Sequence, residues 1–502
     1  MIGRNIFANY LGTVLSVGLT FVITPFMIHR LGDSVYGIWI SAHTLLFYLK
    51  FLDFGSYNAL VKYVAHYSAQ GKFEELSSLV TITLRFFFMA GLLALGASVI
   101  IAFLIPHLFQ VDQKLTDTLQ AVIILMGVEG FVLFPGFVLN GILEGSQRYD
   151  IMNAISAAHH VLASLGIIVL LSAGWGVVTL LSLEIAFSLG NVIFHAFVIR
   201  KYYGNISFFH KNENKVIKRQ VLHYSFWSFL YDLMTEGGPE LDKLVVPMFL
   251  AISMLTPYSI ACSLAALLFY VANPVAHTFF PLSSALDAME DHDRLEKLLT
   301  RGTKLIFAIC LPFSIVIFSM GDAIIANWVG AEYAGAGHPI VQILLISYMT
   351  TVFFLVPLTI LTGLNKLKEI FYITLLENVL AVILVCLTVG PFQLVGLAAG
   401  CAAANILVSF CCLLPFVCRY LRVPIAHLLK EAFAKPFLPA IPAILTAELF
   451  AQKLYPTNWT AIAVESGIVC TLYFSCFMIF SLSALEREEL SFQFKKAFVF
   501  SR

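Results

Sequence analysis

Stretches of about twenty apolar residues recur along the whole of this 502-residue chain, and no other feature constrains its fold as strongly. A helix needs about 20 apolar residues to cross the ~30 Å hydrocarbon core of a bilayer. Inside that core the backbone must satisfy its own hydrogen bonds, so each crossing stretch is expected to be helical. We therefore predict an all-α polytopic membrane protein with about 14 transmembrane helices, over the approximate ranges 6–28, 35–57, 80–105, 118–140, 151–173, 176–199, 222–250, 256–280, 303–325, 339–363, 370–390, 393–417, 436–454 and 460–482.

Composition excludes several other classes of protein. Hydrophobic residues make up 60% of the chain and charged residues only 12%, against about 45–50% and about 25% in soluble domains. The formal net charge is zero, which gives no basic surface for nucleic acid. The sequence contains no nucleotide-binding loop, zinc-protease motif or nucleophile elbow. We expect no catalytic residues, no resident metal or cofactor, and no ATP-driven step in this chain.

The distribution of Lys and Arg predicts the orientation in the membrane. Cytoplasmic loops carry an excess of these residues. With a cytoplasmic N-terminus, 24 of the 30 lie on the cytoplasmic side, and Arg30, Lys114 and Lys453 lie outside. The remaining three, Lys50, Arg85 and Lys243, lie in or at the ends of predicted spans. The chain is therefore predicted to have both termini in the cytoplasm.

Internal similarity predicts a duplicated architecture. A shift of 222 residues aligns Tyr36 with Tyr258, and a shift of 218 aligns the turn 143–148 with 361–366. Six spans per half give parallel repeats, an arrangement typical of transporters that rock about a midplane site. We predict an N-terminal six-helix lobe over 1–205 and a basic cytoplasmic linker over 206–221. A C-terminal six-helix lobe follows over 222–420, and an extra helix pair with a cytoplasmic tail over 421–502.

Ionisable residues at bilayer depth are costly and mark candidate functional sites. Predicted span 7 is the richest in them, with Asp232, Glu236, Glu240, Asp242 and Lys243. The intervening Gly237–Gly238–Pro239 predicts a broken helix, where transporters place ion sites. We predict that these acids bind a proton or sodium ion. The alternative is structural, with Lys243 neutralising Asp242 or Glu240.

Cations within the spans are candidates for binding an anionic substrate. They are few: Lys50, Arg85, Lys243 and, at the end of span 1, Arg30. Lys50 and Asp53 lie three residues apart on span 2, and we include Asp53 among the candidate ion-coupling residues. Asp53 would hold Lys50 toward the substrate, or the two would form a simple ion pair at helical spacing.

Several short motifs resemble the bacterial oligosaccharide flippases, the Wzx-like polysaccharide transporters of the multidrug/oligosaccharidyl-lipid/polysaccharide exporter superfamily. They include Asp53–Phe54–Gly55, the turn Leu143–Glu144–Gly145–Ser146–Gln147–Arg148–Tyr149, and Asp242–Lys243–Leu244–Val245 with the later Tyr258. The sequence departs from the family at Thr256–Pro257, where a Gly-containing turn is expected.

The resemblance implies alternating access in the bacterial inner membrane and a polyprenyl-diphosphate-linked glycan as cargo. It also implies membrane lipid as a partner, together with a polysaccharide polymerase and chain-length machinery. Three alternatives remain open: a cation-coupled multidrug exporter of the same fold, a peptidoglycan-precursor flippase, and, more remotely, a membrane glycosyltransferase or polymerase. The short outer loops and the scarcity of arginine in the spans argue against the last two.

Overall fold

The computed structural model describes residues 2–202, 207–208, 215–482 and 487, and these residues form helices joined by short turns. Within that part of the chain, β pairing is limited to one isolated bridge between Gln110 and Ala251. Among the described residues, eleven helical segments are long and apolar enough to cross a membrane. The predicted fold class, an all-α polytopic membrane protein, is confirmed. Most of the predicted linker 206–221 and nearly all of the tail after residue 482 lie outside the described residues.

The chain divides into two compact units, Met1–Ser259 and Ile260–Arg502. The first contains α1 (Ile2–Leu31), α2 (Asp33–Lys50), α3 (Ser56–Ala69), α4 (Phe73–Leu108), α5 (Gln113–Gly145), α6 (Tyr149–Ser172), α7 (Val177–Tyr202), α8 (Lys215–Asp232), α9 (Gly238–Glu240), α10 (Asp242–Phe249) and the start of α11 (Leu255–His277). The second contains α12 (Phe279–Ala288), α13 (His292–Trp328), α14 (Ala331–Gly363), α15 (Leu367–Val408), α16 (Leu414–Tyr420), α17 (Ile425–Leu428), α18 (Lys435–Phe437), α19 (Ala440–Leu449) and α20 (Trp459–Phe480).

Helix α5 is central to the packing of the first unit, because its glycines let neighbouring helices approach closely. A Cβ added at Gly127 would lie 1.7 Å from the Ser98 hydroxyl oxygen on α4, and one added at Gly141 would lie 2.7 Å from a Leu60 methyl on α3. Small residues at helix contacts are the usual means of close packing in membranes, where lipid provides no hydrophobic drive. The buried face of α5 can therefore carry polar groups between helices.

The predicted span 35–57 is not one continuous helix. Helix α2 ends at Lys50 and gives way to a 3₁₀ turn at Phe51–Asp53, and Phe54 and Gly55 then take the left-handed conformation with φ 47° and 71° before α3 begins. A Cβ at Gly55 would lie 2.4 Å from the Ser225 carbonyl oxygen of α8. The Asp53–Phe54–Gly55 motif is thus a helix break that brings α8 against the backbone.

Two predicted spans, 370–390 and 393–417, fall within one uninterrupted apolar segment, Leu367–Tyr420. Gln393 within it has a non-helical φ of 48° and ψ of −129°. Beyond this kink the chain turns back on itself, since the Thr388 hydroxyl donates to the Gly396 carbonyl at 2.7 Å and Gly400 packs against the Val385 backbone. The predicted short turn at Gly390–Pro391 lies at this reversal.

The two turns aligned by the 218-residue shift have the same local geometry. Gln147 and Asn365 both adopt left-handed φ angles, 56° and 58°. The amides of Arg148 and Lys366 each bond back to the carbonyl five residues earlier, both at 2.9 Å. Each cation also lies over a tyrosine ring, Arg148 over Tyr202 at 5.5 Å and Lys366 over Tyr420 at 4.6 Å. These tyrosines are themselves 218 residues apart, which adds a pair to the sequence repeat.

The hairpin within Leu367–Tyr420 gives a first test of the fold. A Cβ at Gly396 would lie 2.1 Å from the Thr388 backbone oxygen, whereas Gly390 has no atom within 4 Å. We expect Gly396→Ala to lower the free energy of unfolding by about 1–3 kcal/mol, since a backbone contact cannot move cheaply. Gly390→Ala should leave it nearly unchanged. Thermal unfolding of the purified variants in detergent measures this, and equal stability of the two would contradict the close approach.

Candidate functional site

Lys50 lies at the end of α2, where the helix breaks, and acidic groups from three other segments surround it. The carboxyl groups that act electrostatically on its ammonium are those of Glu129 on α5, Glu236 in the π-helical segment after α8, and Glu184 on α7. Its side chain is exposed. We call these four residues the Lys50 cluster. The sequence predicted Lys50 and Glu236 as candidates but did not bring them together.

Two of these acids have polar neighbours on other residues, Glu184 beside His43 and Glu129 beside Ser188. The His43 Nε2 atom lies 3.5 Å from a Glu184 carboxylate oxygen, and the Ser188 hydroxyl donates to Glu129 at 3.4 Å. Glu129 is only 5% exposed. Within the described residues, one buried oxygen of Glu129, one of Glu184 and the His43 Nε2 atom have no hydrogen-bond partner.

Asp53 stabilises the helix break rather than pairing with Lys50. Its two carboxylate oxygens accept hydrogen bonds from the backbone amides of Gly55 at 2.8 Å and Tyr57 at 3.4 Å. The Tyr57 amide lies in the first turn of α3, so this bond satisfies one of the free amides there, as an N-cap side chain does, and the bond to Gly55 holds the turn before the helix. Within the described residues no ion pair joins Asp53 to Lys50, so the predicted alternative of a simple ion pair is wrong.

Asp232 at the end of α8 belongs to a second set of contacts with α3. The Asn58 side-chain amide donates to Asp232 at 2.8 Å and to the Ser228 hydroxyl oxygen at 2.7 Å. The carboxyl groups of Glu236 and Asp53 act on Asp232, and Asp53 also acts on Glu236. We call Asn58, Ser228 and Asp232 the Asp232 network. Because Glu236 faces both Lys50 and Asp232, it links this network to the Lys50 cluster.

The predicted break at Gly237–Gly238–Pro239 is a π-helical segment instead. The π turn covers Leu233–Gly237, and Gly238 keeps right-handed helical angles of −54° and −51°. Pro239 has no amide to donate back along the helix, and the Leu241 amide donates to the Gly238 carbonyl at 3.2 Å rather than to the Gly237 carbonyl. The Tyr48 hydroxyl donates to the Gly237 carbonyl at 2.6 Å. Single π turns of this kind are frequent at functional sites.

The remaining charged residues of predicted span 7 are paired with one another or with a tyrosine. Lys243 Nζ lies 2.7 Å from a Glu240 carboxylate oxygen. Asp242 accepts a hydrogen bond from the Tyr258 hydroxyl, which joins two residues of the resemblance motif. Near them, the Thr256 hydroxyl donates to the Asp33 carbonyl at 2.9 Å, a contact that a glycine could not make. This part of the segment fits the structural alternative, in which Lys243 neutralises Glu240.

The other predicted cations lie on exposed surface. Arg30 is exposed at the end of α1, with its guanidinium 5.7 Å from the centre of the Phe26 ring. Arg85 is exposed on α4. No ion pair or hydrogen bond within the described residues joins Arg30 to the Lys50 cluster.

The sequence does not mark Glu129, Glu184, His43, Ser188 and Asn58 as one set. The sequence signal that could have found them is an acid or amide within an apolar helix. Which of them face each other depends on how α2, α3, α5 and α7 pack. Within the described residues, no group of three or more His, Cys, Asp or Glu side chains has the arrangement of a metal site.

Comparison with known proteins gives one family and several relatives. The model of the family described as "Polysaccharide biosynthesis protein" matches residues 34–338, more than half of the chain. A putative O-antigen transporter of Shigella flexneri is 22% identical over 412 residues, which cover 79% of this chain and 93% of the relative. A probable flippase of Haloferax volcanii is 25% identical over 189 residues, 38% of each chain.

Solved structures share the fold at low sequence identity. The lipid II flippase MurJ, in an inward closed conformation, superposes with a TM-score of 0.72 at 13% identity and covers 94% of this chain and 98% of its own. An inward-facing multidrug resistance MATE family transporter of the MOP superfamily has a TM-score of 0.64 at 16% identity, covering 84% of this chain and 96% of its own.

The contact between Asn58 and Asp232 can be tested by exchanging the two side chains. Asn58→Asp replaces a donated hydrogen bond with two facing carboxylates, and we expect it to lower the free energy of unfolding by about 1–3 kcal/mol. Adding Asp232→Asn restores one amide opposite one carboxylate and should recover most of the loss. Thermal unfolding of the two single variants and the double variant measures the coupling. Additive losses would show that the two side chains do not interact.

Proposed function

The chain belongs to the polysaccharide biosynthesis protein family, and from this premise we propose that it is a flippase for a polyprenyl-diphosphate-linked oligosaccharide. The cargo would be a repeat unit of O-antigen, capsule or exopolysaccharide. The resemblance drawn from Asp53–Phe54–Gly55 and the turn after Leu143 agrees with the family match. The relatives named above are transporters and flippases. The chain is accordingly a transport protein rather than an enzyme, and the glycosyltransferase and polymerase alternatives do not apply.

The Lys50 cluster is the observation that carries this proposal. A diphosphate needs a cation, and Lys50 is exposed at a helix break within an apolar span. The surrounding Glu129, Glu184 and Glu236 stabilise the ammonium in the absence of cargo, and they would release it to a more strongly charged diphosphate. Arg30, Arg85 and Lys243 remain further candidates for contact with the anionic cargo.

The proposed architecture is fourteen spans in two six-helix lobes with a C-terminal helix pair. Three additions to the eleven candidate spans give this number. They are the first helix, whose apolar part is Leu15–Leu31, the interrupted helix 215–249, and the second half of Leu367–Tyr420. The matched turns at Gln147 and Asn365 support parallel repeats. Alternating access, in which the cargo site opens to one face of the membrane at a time, is the transport mode we propose.

The chain is a multi-pass membrane protein, and we propose the bacterial inner membrane with both termini cytoplasmic. The asymmetry of Lys and Arg supports this orientation. A polysaccharide polymerase and chain-length machinery are the proposed protein partners, because a flipped repeat unit must be joined to others on the far side.

We further propose that a proton or sodium ion drives the cycle through the acids of the first unit. Asp53, Asp232 and Glu236 act on one another at the break in α2, and Glu236 also faces Lys50. Cation binding at Glu236 would weaken its attraction for Lys50 and change how strongly Lys50 binds the cargo. Glu240 and Asp242, which have partners in Lys243 and Tyr258, would hold the segment in place.

The main alternative is a cation-coupled multidrug exporter, since MATE transporters share the fold. A peptidoglycan-precursor flippase is the other alternative with this fold.

A transport assay in vesicles that contain the purified protein distinguishes these three functions. Protein-dependent movement of a polyprenyl-diphosphate oligosaccharide without ATP supports the proposal. Failure of several such lipids to move, with export of a cationic dye, would replace it with the multidrug exporter. Movement of lipid II alone would favour the peptidoglycan precursor.

Replacing Lys50 tests the proposed cation. We expect Lys50→Gln to slow movement of the lipid-linked oligosaccharide by about tenfold or more, because a hydrogen bond to a charged group contributes about 1.5–3 kcal/mol. Lys50→Arg should retain most of the activity. Lys114→Gln is the control, because Lys114 is exposed before the apolar part of α5, and it should behave as the unchanged protein. Full activity of Lys50→Gln in the same vesicles would refute the role of Lys50.

Neutralising the linked acids tests the coupling. We expect Glu236→Gln or Asp232→Asn to abolish the dependence of transport on an imposed proton or sodium gradient, while movement down the cargo gradient continues. Asp117→Asn, on exposed surface, is the control for loss of one negative charge. A dependence that survives both substitutions but is lost in Glu184→Gln would move the coupling site to Glu184 and its neighbour Glu129.

A further inference from the structure

A groove in the second unit combines a row of cations with apolar walls. It is lined by Arg294, Lys297 and Arg301, together with Phe279, Leu282, Leu286, Leu298, Gly302 and Leu305, and has a cavity volume of about 370 Å³. That volume lies within the usual range of small-molecule sites. The lining comes from two helices, α12 and the first turns of α13. We call it the α12–α13 groove.

The cations of this groove lie along one side of α13. At about 100° per residue, Arg294, Lys297 and Arg301 fall within about a 60° arc, and Leu298 and Leu305 continue the same side. Seven residues of helix place Arg294 and Arg301 about 10 Å apart along the axis. All three cations are exposed, while Leu286 is buried against the unit. An anion with apolar chains matches this pattern, because cations and leucines alternate along one surface.

The position of the groove is that of a membrane interface. Its cations occupy the first turns of a 37-residue apolar helix that is long enough to span the bilayer. Helix α12 contacts the end of α14, where the Ser284 hydroxyl donates to the Gly363 carbonyl at 2.8 Å. The groove therefore lies at the same end of the unit as the turn that carries Lys366. Basic clusters beside spans bind the headgroups of anionic lipids.

We propose that the α12–α13 groove binds the phosphate headgroup of an anionic membrane phospholipid. The apolar stems of Lys297, Arg301 and Arg294 form part of the groove wall, so the phosphate lies at the rim beside their charged ends, where Arg294 also pairs with Asp291 at 3.2 Å. The acyl chains lie on the leucines of both helices. Apolar walls on two helices suit a lipid with two chains, whereas a polyprenyl diphosphate has only one. This site is separate from the Lys50 cluster and does not depend on the identity of the cargo.

The experiment compares phospholipid binding by the purified full chain and a variant without two of the cations. Native mass spectrometry in neutral detergent counts phosphatidylglycerol adducts, with zwitterionic phosphatidylcholine as the lipid control. The test variant is Lys297→Gln with Arg301→Gln. Its matched control is Lys368→Gln with Lys430→Gln, which removes two exposed cations of the same unit outside the groove. Thermal unfolding without added lipid confirms that each variant is folded.

We expect the test variant to bind phosphatidylglycerol about 25-fold more weakly, since each cation near an anionic lipid contributes about fivefold in affinity. The matched control should keep the affinity of the unchanged protein, and phosphatidylcholine should bind weakly to all three. Equal binding by test and control variants would overturn the site. If the double variant does not fold, Lys297→Gln alone should lose about fivefold, and no loss would have the same meaning.

Two competitors distinguish the occupant. Inorganic pyrophosphate that displaces phosphatidylglycerol at equal concentration would show that the groove binds a free anion, which would overturn a lipid site. A polyprenyl diphosphate that binds through Lys297 and Arg301 more tightly than phosphatidylglycerol would make the cargo carrier the occupant and overturn the phospholipid. Weak competition by both supports the proposed lipid.

Discussion

An ionised group at bilayer depth needs partners or water, and the first unit meets this requirement by gathering acids around Lys50. Insertion of one such charge costs at least ~2.5–3.5 kcal/mol on translocon scales, so an isolated lysine would be poorly tolerated there. Glu129, Glu184 and Glu236 come from three different segments. The arrangement places positive and negative groups close enough to interact electrostatically.

The break between α2 and α3 makes this arrangement possible. A continuous helix through Phe54 and Gly55 would have no free amides for Asp53 to bind and no close contact with α8. Instead, Asp53 caps α3, Gly55 lets the Ser225 backbone approach, and Asn58 reaches Asp232. The Gly237 carbonyl at the end of the π turn accepts a hydrogen bond from the Tyr48 hydroxyl, while the Leu241 amide donates to Gly238. Irregular backbone within a membrane is tolerated only where such partners exist, so both irregular segments depend on the same polar contacts.

Charge has a different role in the second unit. In the first unit, polar groups face one another between helices. On α12 and α13, cations are exposed beside leucines at the end of a helix that is long enough to span a membrane. The cost of placing a charge beside hydrocarbon therefore accounts for both arrangements. We expect salt to weaken the electrostatic interactions on α12 and α13 more than those between the helices of the first unit, because exposed charges are screened more strongly than buried ones.

Local sequence properties were enough to predict the membrane class, the approximate position of the eleven candidate spans and the matched turns at Gln147 and Asn365. Apolar length, turn residues and rare charges are local properties, so they can be recognised without knowing which helices touch. The packing of the helices was needed to see that Asp53 accepts from backbone amides rather than pairing with Lys50, that the chain before Pro239 forms a π turn over Leu233–Gly237, and that Glu129 and Glu184 lie near Lys50. Those outcomes depend on contacts between α2, α5, α7 and α8, which are far apart in the chain, and the spacing of residues along one helix carries no information about its neighbours.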